Sequence, residues 1–310
     1  MSTDDTTGQQ KELTTENLTE NVKLRNSQAS TPRLKFLMDK LVDHLHDYVR
    51  ETRLTNEEWM ATIQFLTNCG QACTPVRQEF ALLSDILGVS VLVDALNNPK
   101  PTNATESTVL GPFHTDDAEN VANGESIASP GKGETCLVLA TVKNTQGQPI
   151  EGAQIDVWET DGEGRYDNQY EVRDRPDMRG RLTSDTNGDV YFKCVKPVSY
   201  SAPTDGPVGV LLEKLHRHAY RPAHIHFLIT VPESEYDDLV TALYIRGDTY
   251  LSTDTVFGVK DSLIIDAVKV DDASLAKKYA VNEQDWLIRY DFVLTTRAET
   301  QALLQTPTQA

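Results

Sequence analysis

The stretch Arg221-Pro-Ala-His-Ile-His-Phe227 continues as an apolar run through Leu228 and Ile229. Side chains two residues apart on a β-strand point to the same face, so His224 and His226 project together while Ile225 faces the other way. Two imidazoles that converge on one point are what a metal ion needs. A His-x-His pair on a strand also occurs as a surface or hydrogen-bonded pair, so further ligands are needed to decide.

Two tyrosines upstream complete a candidate ligand set. Tyr166 lies in Asp161-Gly-Glu-Gly-Arg-Tyr-Asp167, and Tyr200 lies in Lys196-Pro-Val-Ser-Tyr-Ser-Ala-Pro203. Both segments are rich in turn residues and adjoin strand-like runs. Taken in order, Gly-x-Tyr, Pro-x-x-Tyr and Arg-Pro-Ala-His-x-His resemble the intradiol ring-cleaving dioxygenases, non-haem ferric enzymes that open catechol-type rings between the two hydroxyl carbons. The resemblance covers most of the chain from about Thr31 onward.

The resemblance implies a fold and a metal centre. The fold is mainly β, an antiparallel β-sandwich catalytic domain with an N-terminal α-helical dimerisation region. The cofactor is a non-haem Fe(3+) ion, and by position its ligands are Tyr166, Tyr200, His224 and His226. A ferric ion favours anionic oxygen ligands and would turn a phenol, with an ordinary pKa of about 10, into a phenolate. Two phenolates and two neutral imidazoles stabilise the ferric state.

The same resemblance implies catalytic roles and a reaction. Tyr200 would leave the metal and accept a proton from the diol, while Tyr166 stays bound. Arg221 matches the arginine over the substrate ring, where its permanent charge would stabilise negative charge on a ring carbon. The expected substrates are an aromatic diol and O2, and the expected products are cis,cis-muconate-type acids.

Substrate choice within the family depends on the pocket wall. Segments such as Arg77-Gln-Glu-Phe80 and Leu110-Gly-Pro-Phe113 are closer to hydroxyquinol 1,2-dioxygenase and fungal catechol 1,2-dioxygenase than to the bacterial catechol enzymes. Asp85 is suited to accept the third hydroxyl of hydroxyquinol, but an aspartate in mid-helix is equally suited to be exposed or to cap a neighbour. The expected activity is therefore catechol/hydroxyquinol 1,2-dioxygenase. By residue matching, the pocket wall consists of Leu82, Asp85, Leu110, Gly111, Pro112, Phe113, Ala202 and Pro203.

Two positions depart from the family pattern. Ala242 stands where the bacterial catechol enzymes usually carry a glutamine in the strand after the histidine pair. His114 follows Phe113, where an aromatic or apolar residue is usual. We interpret His114 as a loop residue at the pocket edge and not as a metal ligand.

Composition limits the class of protein. The 310 residues carry a formal net charge of −18, which argues against a nucleic-acid partner because such proteins present a basic surface. No apolar run reaches the length of a membrane span. Four cysteines do not make a disulfide framework, and the polar N-terminus lacks the pattern of a secretory signal. These features predict a cytoplasmic protein.

Hydrophobic periodicity divides the chain into four parts. Residues 1–30 are polar and predict a disordered N-terminal tail. Residues 31–104 show the three- and four-residue apolar spacing of three helices, and this is the expected dimerisation region of a homodimer. The third helix has Thr74 as its N-cap and ends near Asn97-Asn98-Pro99. The family sometimes holds lipid at this interface, and the sequence leaves its presence open. Residues 105–300 are the expected catalytic domain, and residues 301–310 a flexible C-terminal tail.

From Thr135 onward the apolar pattern has a period of two, which is typical of strands. Turn signals such as Asn144-Thr-Gln-Gly147 separate short runs, and this spacing suggests a β-sandwich. The candidate strands are Cys136–Lys143, Gln154–Glu159, Gly180–Thr183, Gly188–Val195, His224–Val231, Thr241–Ile245, Ser262–Val270 and Trp286–Leu294.

Two other classes of protein remain open at this point. A cupin-like Zn or Fe(II) enzyme would combine the His224/His226 pair with a carboxylate such as Glu159 or Asp161. A non-catalytic β-sandwich binding module with a helical dimerisation arm would bind little iron and consume no oxygen with catechol. Colour separates the first class from the ferric enzyme, because tyrosinate bound to ferric iron absorbs visible light and a zinc protein is colourless.

Overall fold

The computed structural model describes residues 12–74 and 77–305. The chain divides into two compact units, Met1–Thr67 and Asn68–Ala310. This boundary falls well before residue 104, where the helical region was expected to end. The helices after residue 78 make contacts within the second unit, for example through the Asp94–Lys260 ion pair at 3.6 Å, and this explains the difference.

The first unit contains α1 (Leu18–Arg25), α2 (Pro32–Thr52) and most of α3 (Asn56–Ala72). The Thr31 hydroxyl accepts a hydrogen bond from the Leu34 amide (3.1 Å) and so caps α2. Proline at the first helical position suits this start, because its missing N–H would have no partner there.

The helix α1 corrects the expected disordered tail over residues 1–30. Its polar side chains find partners on α2: Lys23 pairs with Asp43 (3.1 Å) and the Thr19 hydroxyl lies 2.9 Å from His46 Nδ1. The disorder predicted from polar composition is therefore wrong over α1, because contacts with α2 order this segment. Residues 1–11 of the expected tail lie outside the described residues.

After the end of α3, the second unit contains two short helices, α4 (Glu79–Ile86) and α5 (Val89–Asn97), where one continuous helix was expected. Gly88 adopts a left-handed conformation (φ 72°) between them. A glycine in this conformation terminates a helix at little cost, because it has no Cβ to clash. The Pro75 part of the expected helix start lies outside the described residues.

Two sheets form the sandwich. The four-stranded sheet has the order β10-β11-β1-β4, and the five-stranded sheet has the order β3-β2-β7-β8-β9. The strands are β1 (Thr135–Asn144), β2 (Gln154–Trp158), β3 (Arg179–Thr183), β4 (Asp189–Val195), β5 (Tyr200–Ser201), β6 (Tyr220–Arg221), β7 (His224–Thr230), β8 (Leu239–Ile245), β9 (Ile264–Ile265), β10 (Ala267–Lys269) and β11 (Trp286–Leu294).

The core lies between these two sheets. Ile225 and Phe227 of β7 pack in one apolar cluster with Val138, Phe192 and Phe292 from the opposite sheet. The alternation seen in the sequence therefore places the apolar half of β7 in the core and the two histidines on its other face. Most pairings are antiparallel, but β1–β11 and β8–β9 are parallel, so both sheets are mixed.

Several short elements were not predicted. The strands β5 and β6 form a two-residue ladder, and α6 (Pro207–Lys214) and α7 (Ala273–Tyr279) lie between strands. A last helix, α8 (Arg297–Gln305), follows β11. The run Ser262–Val270 is split into β9 and β10, which belong to different sheets. The expected flexible tail over residues 301–310 is wrong for residues 301–305, because α8 extends to Gln305. Residues 306–310 lie outside the described residues.

Candidate active site

The two histidines of β7 are oriented by the backbone beside them. His224 Nδ1 lies 2.6 Å from the Pro222 carbonyl oxygen, so this nitrogen carries the proton and donates it, and Nε2 keeps its lone pair. That Nε2 lies 3.0 Å from His226 Nε2. The His226 ring stacks on Trp158 of β2 (centroids 4.9 Å apart, 3° between planes). Two imidazole nitrogens are thus aimed at one place.

Two loops bring the tyrosines to the same place. A turn held by Asp161 Oδ1, which accepts from the Glu163 and Arg165 amides (2.9 and 3.0 Å), leads into Tyr166. Gly164 has a left-handed backbone (φ 81°), and a Cβ there would lie 3.0 Å from Tyr200 Cβ, so only glycine allows the two loops this approach.

The four rings form a continuous group. Ring centroids lie 5.4 Å apart for Tyr166–Tyr200, 5.5 Å for Tyr200–His224 and 4.6 Å for His224–His226. All four side chains are buried, and the Tyr166 hydroxyl has no hydrogen-bond partner within the described part of the chain. The structure therefore brings together the four residues that the sequence pattern selected.

This donor set fits a hard cation. Burial, with a smaller contribution from Arg221, lowers the pKa of His224 to about 3, and burial lowers the pKa of His226 well below its ordinary value. Both imidazoles are therefore neutral and able to ligate. Burial and the neighbouring Tyr200 raise the pKa of Tyr166 well above its ordinary value. A buried hydroxyl without a partner is costly, and a cation at this point would satisfy it by favouring the phenolate.

Arg221 lies next to this group on β6. Its Nη1 lies 3.5 Å from the Tyr200 hydroxyl and 3.2 Å from His224 Nε2, and its Nε donates to Asp254 (3.2 Å). Burial opposes the charge, but Asp254 and the nearby phenols raise the pKa of Arg221 above its ordinary value. A permanent positive charge is thus held at the edge of the site.

Sequence reasoning missed Asp254 and Tyr244. Asp254 Oδ2 accepts from the Gly258 amide (2.9 Å), and the Tyr244 hydroxyl accepts from Arg221 Nη2 (3.2 Å). Together they hold the guanidinium in one orientation. The signal that could have found Tyr244 is the period of two on β8, which puts it opposite His224. No motif marks Asp254, because its role depends on a loop contact across 33 residues.

The expected pocket wall is only partly assembled around one cavity. Asp85, Leu110, Gly111 and Pro112 line a cavity of about 630 Å³. It approaches the histidines at Gly111, where a Cβ would lie 3.7 Å from His226 Nε2. The expected residues placed outside this cavity are Leu82, Phe113, Ala202 and Pro203.

Each of these four residues has its own place. Phe113 stacks on Tyr166 (4.3 Å, 16°), Leu82 is buried within α4, and Ala202 follows β5 with its amide bonded to Ala219 (2.8 Å). Pro203 comes next, half-buried. Phe113 therefore contacts the candidate ligand Tyr166 directly, while Leu82 is a buried side chain of α4.

Asp85 is buried, which contradicts the interpretation of it as an exposed helix residue. Only 8% of its surface is accessible. Burial raises its pKa, against a hydrogen bond to Ser90 and the charge of Arg221. It therefore presents a carboxyl group to the cavity that also holds Leu110 and Gly111.

The remaining singled-out residues lie around the ring group. His114 packs edge-on against Trp158 (4.7 Å), with Nε2 3.6 Å from Asp156, so it stands behind His226. Ala242 pairs with His226 across β7 and β8 and is fully buried.

The carboxylates that a cupin-like site would need are engaged elsewhere. Glu159 Oε1 accepts from the Val195 amide (2.8 Å), and Asp161 holds its own turn and accepts from the Tyr170 hydroxyl (3.0 Å). Within the described ranges, no three or more His, Cys, Asp or Glu side chains gather as a metal-binding group.

A β-sandwich that carries two tyrosines, two histidines and a buried arginine defines a class of metal-dependent oxygenase. Comparison with known proteins agrees. The chain matches the family descriptions "Catechol dioxygenase N terminus" over residues 31–105 and "Dioxygenase" over residues 109–296. It is 52% identical over 293 residues to the intradiol ring-cleavage dioxygenase hqdA of Aspergillus niger, covering 94% of this chain and 88% of that protein.

Two further relatives extend the likeness. The chain is 44% identical over 291 residues to a hydroxyquinol 1,2-dioxygenase of a Rhizobium species, covering 93% of this chain and 98% of that one. A solved structure of hydroxyquinol 1,2-dioxygenase from Pseudomonas putida matches with a TM-score of 0.83 and 41% identity, covering 91% of this chain and 99% of that one.

The chain therefore belongs to the intradiol ring-cleavage dioxygenase family. The expected family, β-sandwich fold class and dioxygenase activity are confirmed, in preference to the cupin-like enzyme and the non-catalytic module. Enzymes of this family use non-haem ferric iron. None of the helices in the described ranges combines the length and apolar character that crossing a bilayer requires.

Proposed function

We propose that this protein cleaves catechol-type rings, hydroxyquinol and/or catechol, between the two hydroxyl carbons with O2, giving cis,cis-muconate-type acids. The observation that carries the proposal is the pair of neutral imidazole nitrogens, 3.0 Å apart, in one ring group with Tyr166, whose buried hydroxyl has no hydrogen-bond partner among the described residues. Hydroxyquinol 1,2-dioxygenase relatives at 41–44% identity support this substrate class.

Tyr166, Tyr200, His224 and His226 would hold the ferric ion. When bound, the ferric ion would supply Lewis-acid chemistry that favours loss of protons from the diol and draws electron density from its ring. The chain's own contribution begins with Tyr200, whose phenolic oxygen lies beside Arg221 (3.5 Å) and, as a phenolate, would be placed to take up a proton released by the diol. Arg221, fixed by Asp254 and Tyr244, presents its positive charge where ring charge develops.

Asp85 is the proposed selector among ring substituents. Its buried carboxyl group faces the same cavity as Gly111, close to the histidines. A third ring hydroxyl could exchange a hydrogen bond with it, and a ring without that hydroxyl would leave the buried carboxyl group with one hydrogen bond fewer. This supports hydroxyquinol as the preferred substrate and catechol as the second.

Oxygen uptake measured side by side with hydroxyquinol, catechol, pyrogallol and protocatechuate tests the substrate class. We expect the highest kcat/KM for hydroxyquinol. Asp85→Ala should lower the hydroxyquinol-to-catechol ratio of kcat/KM by about tenfold or more, because it removes one hydrogen bond to the distinguishing hydroxyl. Ser90→Ala, which changes the polar neighbour of Asp85, is the matched control and should move the ratio little. No uptake with any of the four would contradict the proposal.

A homodimer built through the N-terminal helices is the proposed assembly. In the single chain, α2 and α3 leave a large apolar surface exposed, including Phe36, Leu41, Tyr48, Trp59 and Ile63. Apolar patches of this kind mark interaction sites, and a bound lipid is a further candidate to cover part of this one. Light scattering should report a dimer at micromolar concentration. A monomer would contradict the assembly and would leave the proposed chemistry intact.

The proposed location is the cytoplasm. Cys136 and Cys194 are partners on the adjacent strands β1 and β4, and both are free thiols in the core. Buried thiols that persist side by side suit a reducing compartment.

A further inference from the structure

A buried charge cluster lies directly behind Tyr166. The next residue, Asp167, is fully buried, and Arg179 at the start of β3 donates to it from Nε (3.0 Å to each carboxylate oxygen) and from Nη2. Arg173 Nε (2.8 Å) and the Asp177 amide (3.0 Å) also donate to Asp167. The backbone that carries Tyr166 is therefore fixed by its neighbour's carboxylate.

The same arginines reach the pocket loop. Arg179 Nη1 donates to the Phe113 carbonyl oxygen (3.0 Å), and Arg173 forms two bonds to Asp117 (2.6 and 3.1 Å). The two loops that meet here supply the Phe113 and Tyr166 rings, which stack at 4.3 Å. One guanidinium thus spans the candidate ligand loop and the loop that approaches the histidines.

We propose that Arg179 is a positioning residue, which fixes the Tyr166 hydroxyl and the Phe113 ring stacked on it by binding Asp167 and the Phe113 carbonyl at the same time. This inference rests on the proposed function, because it assigns Arg179 the task of setting the geometry of that site. We call the contacts of Arg179 with Asp167 and Phe113 the Arg179 clamp.

The chemistry of the side chain explains why arginine is needed. A guanidinium is planar, carries five donors in a fixed fork and can bind a carboxylate and a carbonyl together, whereas a lysine ammonium is a single point of charge. A buried ion pair adds little net stability compared with apolar packing. Stability alone therefore does not account for the buried cluster of Asp167 with Arg179 and Arg173. Holding the two loops in a fixed position does account for it.

Arg179→Lys in the full-length, iron-loaded protein tests the Arg179 clamp. It keeps the positive charge for Asp167 and loses the simultaneous bond to Phe113. We expect retained iron, a shifted maximum of the visible absorption band, and a fall in kcat/KM of about 10²-fold, as for a small misplacement of reacting groups. Most of this fall should come from a higher KM for the diol, because Phe113 directly follows Gly111 and Pro112, which line the cavity.

The matched control is Arg181→Lys, two residues along β3. Arg181 pairs with Asp156 (2.5 and 3.1 Å) instead of with the clamp residues. It should leave the band maximum and KM unchanged. If Arg179 had a purely structural role, Arg179→Lys would lower the apparent kcat because fewer molecules are active. KM and the band maximum would then stay constant.

A folded Arg179→Lys protein with unchanged band maximum and KM overturns the proposal. Should Arg179→Lys fail to fold, as judged by circular dichroism, Asp167→Asn tests the same clamp, because it weakens the bonds of Arg179 to the carboxylate and keeps an acceptor oxygen. It should raise KM less, and an unchanged KM would overturn the proposal.

A wild-type protein that is iron-loaded but colourless would instead refute the proposed function. In that event the near-UV circular dichroism spectrum of the metal-free protein reports on the Phe113–Tyr166 stack. Arg179→Lys should change this spectrum, and an unchanged spectrum would show that Arg179 does not position the stack.

Discussion

The two sheets of the sandwich share one core but differ in what they do with their other face. On the four-stranded sheet, the outer positions of β4 and β11 include Lys193, Arg289 and Asp291, which are exposed or half-buried. On the five-stranded sheet, His224, His226 and Tyr244 occupy the outer face and are at most 3% exposed. The outer face of the four-stranded sheet is thus partly solvated, apart from a patch where Leu137 and Leu287 pack with Ala276 of α7, and the five-stranded sheet is covered on both sides.

The difference shows where function was added to the scaffold. Loops that carry Tyr166, Tyr200 and Asp254 form a third layer over the five-stranded sheet, and this layer buries polar groups that an ordinary sandwich would leave in water. Buried polar groups must be satisfied. A bound cation and the substrate would supply partners that the fold leaves missing, as at the Tyr166 hydroxyl.

The largest expected effect is that of Tyr166→Phe. Removal of one anionic ligand should reduce the iron content per chain severely and lower turnover by more than about 10²-fold. Even changes to residues that only support metal ligands cost up to about 10²-fold. Metal analysis after gel filtration, together with oxygen uptake, measures both. Tyr191→Phe makes the same change on the four-stranded sheet and should keep full iron. Equal iron in the two variants would remove Tyr166 from the ligand set.

The next largest expected effect on activity is that of breaking the Arg221–Asp254 ion pair beside the candidate ligands. Arg221→Ala should keep iron and lower kcat/KM by about 10²- to 10³-fold, because it removes a preorganised positive charge. It also leaves the Asp254 carboxylate buried and alone, so the free energy of unfolding should fall by about 3 kcal/mol.

A double variant separates the two consequences of that change. Adding Asp254→Asn to Arg221→Ala removes the lone charge, so stability should recover while activity stays low. Arg289→Ala, at an exposed position of the four-stranded sheet, should change neither quantity. Normal turnover of Arg221→Ala would exclude it from the mechanism.

A smaller effect concerns Glu159, buried next to Trp158. Burial raises its pKa well above the ordinary value, so the folded protein keeps the proton while the unfolded chain, with a pKa near 4.5, loses it. The unfolded state then binds fewer protons, and stability falls as pH rises above about 4.5.

Glu159→Gln removes this penalty and keeps the acceptor for the Val195 amide. The free-energy advantage of the variant over wild type should therefore grow by about 1.4 kcal/mol per pH unit until the folded pKa is reached. Urea unfolding of both proteins at pH 5 and pH 7 measures it. A difference that does not change with pH would show that Glu159 ionises in the folded protein.

Local pattern explains what the sequence could predict. Alternation alone gave β11 its correct bounds, Trp286–Leu294, and set the two faces of β7. It could not give β5 and β6, because two residues are too short for a period. Nor could it anticipate the break at Gly88, since a glycine inside an apolar helical pattern is often tolerated.

The ligand positions were accessible because ligand chemistry restricts residue type and spacing. Arg179 and Asp254 were not, because each acts through a partner in a distant loop, such as Phe113 at 66 residues from Arg179. Asp85 was accessible as a candidate, but its burial depends on how α4 packs in the second unit. Tertiary contacts, and not local sequence, decide such roles.

The central claim is that tyrosinate oxygen and imidazole nitrogen together hold a ferric ion on the outer face of the five-stranded sheet. The visible absorption spectrum of the purified, iron-loaded protein tests it most directly, with iron quantified in the same sample. We predict a broad tyrosinate-to-ferric band that gives the protein a red-brown colour and changes when the diol is added without oxygen. A protein with one iron per chain and no visible band would contradict the account.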